Sequence, residues 1–363
     1  MTLDFVALPK VLLHDHLDGG LRPATVAELA DEIGHPLPKF DPIELADWFA
    51  VASNSGSLER YLETFEHTVA VMQTESALER VAYEAVWDLA RDGVIYAELR
   101  WAPEQHQRRG LSLDAALNAV AAGIDRATDE LLTTGSFIRV RQILSAMRQS
   151  NRSLEIAELA VRNRDLGVVG FDIAGPEAGF PPANHLLAFD YLASELMPVT
   201  VHAGEGAGVD SIRDALVSGR ALRLGHGVRI AEDIMLPQSN ATADGLLGPV
   251  AQWVLDRRVP LEISISSNLQ TGASAAWGSD VASHPVSDLI DLGFAITLNT
   301  DNRLMSQTSL SGELELAASG LELTASDFEE LQITAAESAF CDFDQREELI
   351  DLISMWFASQ ESE

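Results

Sequence analysis

Short apolar or β-branched runs alternate with helix-length stretches along most of this chain. The runs fall at Val11–Leu13, Val94–Trp101, Phe137–Leu144, Val168–Ile173, Pro198–Val201, Ala221–Leu224, Pro260–Ile265 and Ala295–Asn299. Between them, Ala183 to Leu196 and Leu247 to Asp256 place apolar side chains at helical spacing. Gly93, Gly167, Gly219 and Gly293 stand just ahead of a run, where a helix ends on a residue free to turn left-handed. Strands that alternate with helices build βαβ units, and eight of them predict a closed (β/α)8 TIM-type barrel, with an open doubly wound sheet as the alternative. No linker or internal repeat divides the 363 residues, so the whole chain, 1–363, reads as one domain with extra C-terminal helices.

A long excursion, about 19–92, separates the first run from the second. Leu58, Tyr61, Leu62, Phe65 and Val69 recur in it at helical spacing, which reads mostly as core packing. Active sites of such barrels lie at the C-terminal strand ends. An excursion leaving the first strand therefore overhangs the site, with Trp48 and Phe49 as candidates for an apolar lid.

Composition removes several function classes. The chain is 47% hydrophobic and 22% charged, as globular proteins are, and no apolar run approaches the roughly 18 to 20 residues that span a bilayer. Its first residues lack the basic start and apolar stretch of a secretory signal, so a cytoplasmic location is expected, without a membrane partner. A net charge of −32, with Lys10 and Lys39 the only lysines, repels phosphate backbones and argues against a nucleic-acid partner. Cys341 is the only cysteine, so any metal must be held by His, Asp or Glu. The oligomeric state is left open.

The candidate chemistry lies at the ends of the runs. His14 and His16 alternate at the end of the first, which puts two imidazoles on one face of a strand. Alone they fit either a metal site or a hydrogen-bonded core pair. However, His202 and Glu205 end the fifth run, His226 the sixth and Asp301 the eighth. In a parallel barrel those ends meet at one mouth, so these six residues become neighbours. His35, His67, His106, His185 and His284 fall in helical or loop contexts and are assigned to structure.

Six motifs in order carry a resemblance to a known family: His14-Asp-His-Leu-Asp-Gly19, Gly170-Phe-Asp-Ile-Ala-Gly175, His202-Ala-Gly-Glu205, Gly225-His-Gly227, Ser266-Ser-Asn-Leu-Gln-Thr-Gly272 and Thr300-Asp-Asn302. From Lys10 to about Arg346 the chain resembles the adenosine deaminase family of the amidohydrolase superfamily. The resemblance implies that His14, His16, His202 and Asp301 hold one Zn2+, that Glu205 donates a proton and that His226 acts on the attacking water. It also implies that His16, Asp18, Gly175 and Asn302 meet a purine nucleoside. A single ion is expected, because two-metal barrels of this superfamily often use a bridging lysine on a central strand, and neither lysine lies there.

The implied reaction is hydrolytic deamination of adenosine, and of 2'-deoxyadenosine, in purine salvage. The alternatives are a deaminase of adenine or of another adenosine-like metabolite, and an inactive barrel with a binding role. Two departures from the family pattern stand out. Asn302 replaces a second acid, although an amide can still donate to a purine nitrogen. Pro176 and Glu177 follow Gly175, where an acidic residue often comes directly.

Overall fold

The computed structural model describes residues 3–235 and 246–360. Eight parallel strands occupy the expected places: β1 (Lys10–His16), β2 (Val94–Trp101), β3 (Arg139–Met147), β4 (Val168–Ala174), β5 (Thr200–Ala203), β6 (Arg223–His226), β7 (Leu261–Ile263) and β8 (Ile296–Leu298). They pair in two ladders, β1 to β4 and β5 to β8. Single bridges, Phe171 with Val199 and Asp15 with Asp301, join the ladders on both sides and close the barrel. The doubly wound alternative therefore falls. β5 and β6 start two residues after their apolar runs do, and β7 and β8 are shorter than theirs. Pro198 and Pro260 lack an N–H and stay outside the ladder, yet their carbonyls accept from Phe171 and Leu224 at 3.0 and 2.9 Å.

Below the mouth the barrel is filled with charge as well as with apolar side chains. Glu98, Arg100, Asp172, Arg223 and Glu262 are all buried. Arg100 donates to the Leu13 carbonyl at 2.7 Å, to Glu262 at 2.8 Å and to Asp172 at 3.3 Å, while Arg223 donates to Glu262 at 2.7 Å and to Glu98. Buried ions need such partners, since removing one side of a pair leaves an uncompensated charge worth about 3–5 kcal/mol. This lattice locks β2, β4, β6 and β7 together beneath the site.

The excursion holds five helices: α1 (Pro23–Ile33), α2 (Pro42–Ser53), α3 (Leu58–Glu63), α4 (Phe65–Val71) and α5 (Glu75–Arg91). Three more, Leu310–Gly320, Ala325–Ser338 and Phe343–Gln360, form the expected C-terminal extension. The second of these packs beside β1, where Gln332 accepts from the Val11 amide at 2.9 Å. Lys10 opens β1 at the end opposite the mouth, with its ammonium on the carbonyls of Phe5 and Leu8; Lys39 pairs with Glu44 at 3.0 Å. Neither lysine reaches the strand-end cluster. Among the described residues, no helix is long and apolar enough to cross a membrane.

Two local expectations change. Gly93, Gly167 and Gly293 turn left-handed as expected, but Gly219 does not: Arg220, at φ 51°, makes that turn. Gly219 instead allows close packing, because a Cβ there would lie 2.6 Å from the Ala215 carbonyl oxygen. In addition, Trp48 and Phe49 are not the lid. Phe49 is buried and both rings pack on His67, which holds α2 against α4 instead of over the mouth.

Candidate active site

Strand geometry brings the four expected ligands together. His14 and His16 share the inward face of β1, His202 comes from β5, and Asp301 lies three residues beyond β8 with a left-handed φ of 54°. The Nε2 atoms of His16 and His202 lie 3.1 Å apart, and Asp301 Oδ1 is 3.3 Å from His14 Nε2 and 3.4 Å from His16 Nε2. One donor atom from each of the four residues lies within 4.8 Å of the others. Gly225 makes room for them, since a Cβ at that position would sit 3.1 Å from His202 Cα and 3.3 Å from His14 Cε1.

Three of the four ligands are also held from behind. Glu262 Oε2 lies 3.1 Å from His14 Nδ1, Asp172 Oδ2 lies 2.7 Å from His202 Nδ1, and Ser267 donates to Asp301 Oδ2 at 2.6 Å. Carboxylates on the Nδ1 side keep the ring proton there and leave Nε2 lone pairs pointing inward. Burial holds His16 and His202 below the ordinary histidine pKa, in the neutral form that ligates metal. Burial alone would raise Asp301, but the hydrogen bond from His14 and the charge of nearby histidines keep it well below the carboxylate range. Three imidazole nitrogens and one carboxylate oxygen, buried and convergent, fit a divalent cation of the zinc type.

Glu205 and His226 flank this cluster. Glu205 Oε2 is 3.5 Å from His226 Nε2, and both side chains, with Asp301, form a second group of potential ligand atoms within 4.8 Å. Burial, and then the negative charge of Asp301 and Glu177, pushes the Glu205 carboxyl well above the usual glutamate range. His226 ends β6 with φ 62°, and its Nδ1 lies 3.0 Å from the Asn268 amide nitrogen, which fixes the ring plane.

A cavity of about 390 Å³ opens above these groups. Every predicted site residue borders it except His14, which lies beneath. That size suits a small organic ligand. The roof comes from α3 and α4 through Leu58, Leu62, Phe65 and Val69. Their helical spacing runs through a break at Thr64, and the face read mostly as core packing also lines the cavity. Gly175 adopts φ 102°, and a Cβ there would lie 2.7 Å from Gln149 Oε1. Burial lifts the Asp18 carboxyl to about 7, so near neutral pH it can donate as well as accept. His106, assigned to structure, lies behind it with Nε2 3.9 Å from Asp18 Oδ2; His35, His67, His185 and His284 stay away from the cavity.

Sequence reasoning missed the supporting residues: Asp172, Glu262, Ser267, Asn268 and Glu177. A carboxylate inside the short apolar run Leu261-Glu-Ile263 was a usable signal for Glu262. Asp172 and Asn268 sat inside quoted motifs without a role.

The adenosine deaminase family model matches residues 9–356. The chain belongs to the adenosine deaminase family. "Adenosine deaminase 1" of Streptomyces coelicolor is 53% identical over 98% of this chain and 88% of its own length. An adenosine deaminase of Mycobacterium ulcerans is 51% identical over 96% of this chain and 95% of its own. Among solved structures, Arabidopsis ADAL complexed with IMP superposes with a TM-score of 0.81 at 25% identity, covering 98% of both chains. The family's barrel and the strand-end cluster described above thus coincide in one chain.

Proposed function

We propose that this enzyme hydrolytically deaminates adenosine, and 2'-deoxyadenosine, to the inosine nucleoside and ammonia, using one zinc ion held by His14, His16, His202 and Asp301. The observation that carries the reading is the placement of a buried carboxyl, Glu205, beside a cluster of four potential metal ligands at the floor of a cavity. The likeness to relatives named adenosine deaminase at 51–53% identity supports the substrate.

Zinc bound at such a site supplies the acidity that makes water a nucleophile near neutral pH. The protein's own groups do the rest. Glu205, protonated in its dry setting, donates to N1 of the purine and makes C6 electrophilic. His226 takes up or shields the proton released by the attacking water. The Gly175 amide can approach a ring acceptor because no side chain blocks it, and Asn302 donates to N7. His16 lines the wall beside the sugar, where Asp18 meets the 5'-hydroxyl. Ammonia leaves from C6 after the exocyclic nitrogen gains a proton.

Following the adenine-to-hypoxanthine absorbance change with adenosine, adenine and adenosine monophosphate tests the reading. Adenosine is expected to be the preferred substrate; preference for either competitor would overturn it. Two finer outcomes follow. Asp18→Ala removes a hydrogen bond to the sugar, so kcat/KM for adenosine should fall about 10- to 100-fold. Its advantage over 5'-deoxyadenosine should narrow with the metal still bound; an undiminished ratio in Asp18→Ala would clear Asp18 of this role. Likewise 7-deazaadenosine, lacking the N7 acceptor, should react about 10-fold less well than adenosine. Equal rates would mean that Asn302 makes no such contact.

A further inference from the structure

The second departure from the family pattern has a structural counterpart. Glu177, in the loop after β4, is 4% exposed, and its carboxylate turns away from the cavity into the loop after β5. Its Oε1 accepts from the Gly204 amide at 2.7 Å, and its Oε2 accepts from the amides of Glu205 and Ala207, both at 3.0 Å. Gly204 is left-handed, at φ 76°. Successive amides around such a residue form a concave nest that binds an anion, and here the anion is a side chain of the protein itself.

Arg148 completes the clamp. Its Nε donates to the Phe180 carbonyl and its Nη1 to the His202 carbonyl, each at 2.9 Å, which ties the loop after β4 to the end of β5 and places a cation near Glu177. Gly206 lets the anchored loop pass under the roof, since a Cβ there would lie 2.8 Å from Leu58 Cδ2 of α3 and 3.4 Å from Glu177 Cβ.

We propose that Glu177 is the positioning residue for Glu205, holding the backbone of residues 204–207 so that the Glu205 carboxyl stays beside His226 and the metal cluster. The proposal rests on Glu205 being the proton donor. Glu177 touches no reacting atom. Besides the negative charge it places near Glu205, its contribution is geometric: three charge-assisted hydrogen bonds fix the backbone that carries Glu205, and catalytic groups lose rate steeply when displaced by about 1 Å.

Glu177→Gln is the discriminating variant. It keeps the shape, but both carboxylate oxygens accept N–H groups, so a side-chain NH2 must face at least one backbone N–H. In the full-length, metal-loaded enzyme, kcat for adenosine should fall about 10- to 100-fold while KM stays within about 3-fold and metal content is unchanged. Glu177→Asp keeps the charge on a shorter stem and should fall between the two. Hydrogen exchange supplies a readout independent of turnover: the amides of residues 204–207 should exchange at least about 10-fold faster in Glu177→Gln, with β1 to β4 unaffected.

Unchanged exchange at 204–207 in both variants, or kcat within about 2-fold of wild type in both, overturns the proposal. So does a loss of activity that tracks loss of metal and of thermal stability, which would make Glu177 a structural residue only. A wild type inactive on adenosine would instead sink the reading of the reaction, and exchange would still judge the anchor.

Discussion

Glu205→Gln is expected to lower kcat for adenosine by about 10² to 10⁴-fold while purine binding and metal content persist. Glutamine fills the same space but has no acidic proton to give to N1. The carboxyl is suited to donate because burial, with Asp301 and Glu177 nearby, holds its pKa well above the ordinary value. The acid form is therefore the active one, and the rate should fall as pH rises through that raised pKa. Stability should move oppositely to activity in the variant. Below the ordinary glutamate pKa, folded and unfolded chains both bind the proton, and the site carries no pH-dependent penalty. Above it, the unfolded chain gives up the proton and the folded chain retains it, so folding is progressively disfavoured as pH rises until the folded pKa is passed. Gln escapes this, and Glu205→Gln should melt no lower than wild type at neutral pH. A near-normal rate in the variant would remove Glu205 from the mechanism, and a lowered melting temperature would show that its loss acts through folding.

The strand-end residues were legible because a barrel turns distance in sequence into proximity at one mouth. His14, His16, His202, His226 and Asp301 are spread over most of the chain, yet each sits within three residues of the end of its strand. The layer beneath was scarcely legible, with Glu262 alone giving a usable signal. Glu98, Arg100, Arg223 and Glu262 interrupt apolar runs, and a pattern of hydrophobic positions treats a charge as a break in the strand or as its solvent side. Their partners lie on other strands: Arg100 and Glu262 meet only because β2 and β7 face across the barrel. Pairing of that kind has no local signal.

The roof shows a different failure. Leu58 to Val69 keeps helical spacing through a real break at Thr64, so periodicity found the elements and missed the corner that aims them at the cavity. Trp48 and Phe49 were attractive as lid residues because large apolar side chains near a mouth suggest closure. They are satisfied instead by His67, itself paired with His35 at 3.0 Å. Glu177 was noticed only as a departure, since nothing in one sequence says that a carboxylate will fill a nest of amides 27 residues further on.

Removal of one metal ligand is the other large expected effect. His202→Ala should strip the metal and abolish deamination together, because His202 supplies one of three imidazole nitrogens and its Nε2 lies 3.1 Å from that of His16. The same replacement leaves Asp172 buried without the ring it faces, which adds a folding penalty to the lost ligand. Asp172→Asn separates the two effects. It keeps the volume and all four ligands, and Arg100 retains Glu262, but it weakens the hold on the His202 Nδ1 proton; metal affinity should drop by about 10- to 100-fold, and the melting temperature of the variant reads the loss of the Arg100 partner separately. Metal analysis of wild type should find one ion per chain, and exhaustive chelation should remove activity that added zinc restores. Two ions per chain would show that Glu205, His226 and Asp301, which also gather within 4.8 Å, form a second site. Glu205 could not then be the proton donor. Full activity after chelation would be the more damaging result, because the convergence of His14, His16, His202 and Asp301 would have no part in the reaction.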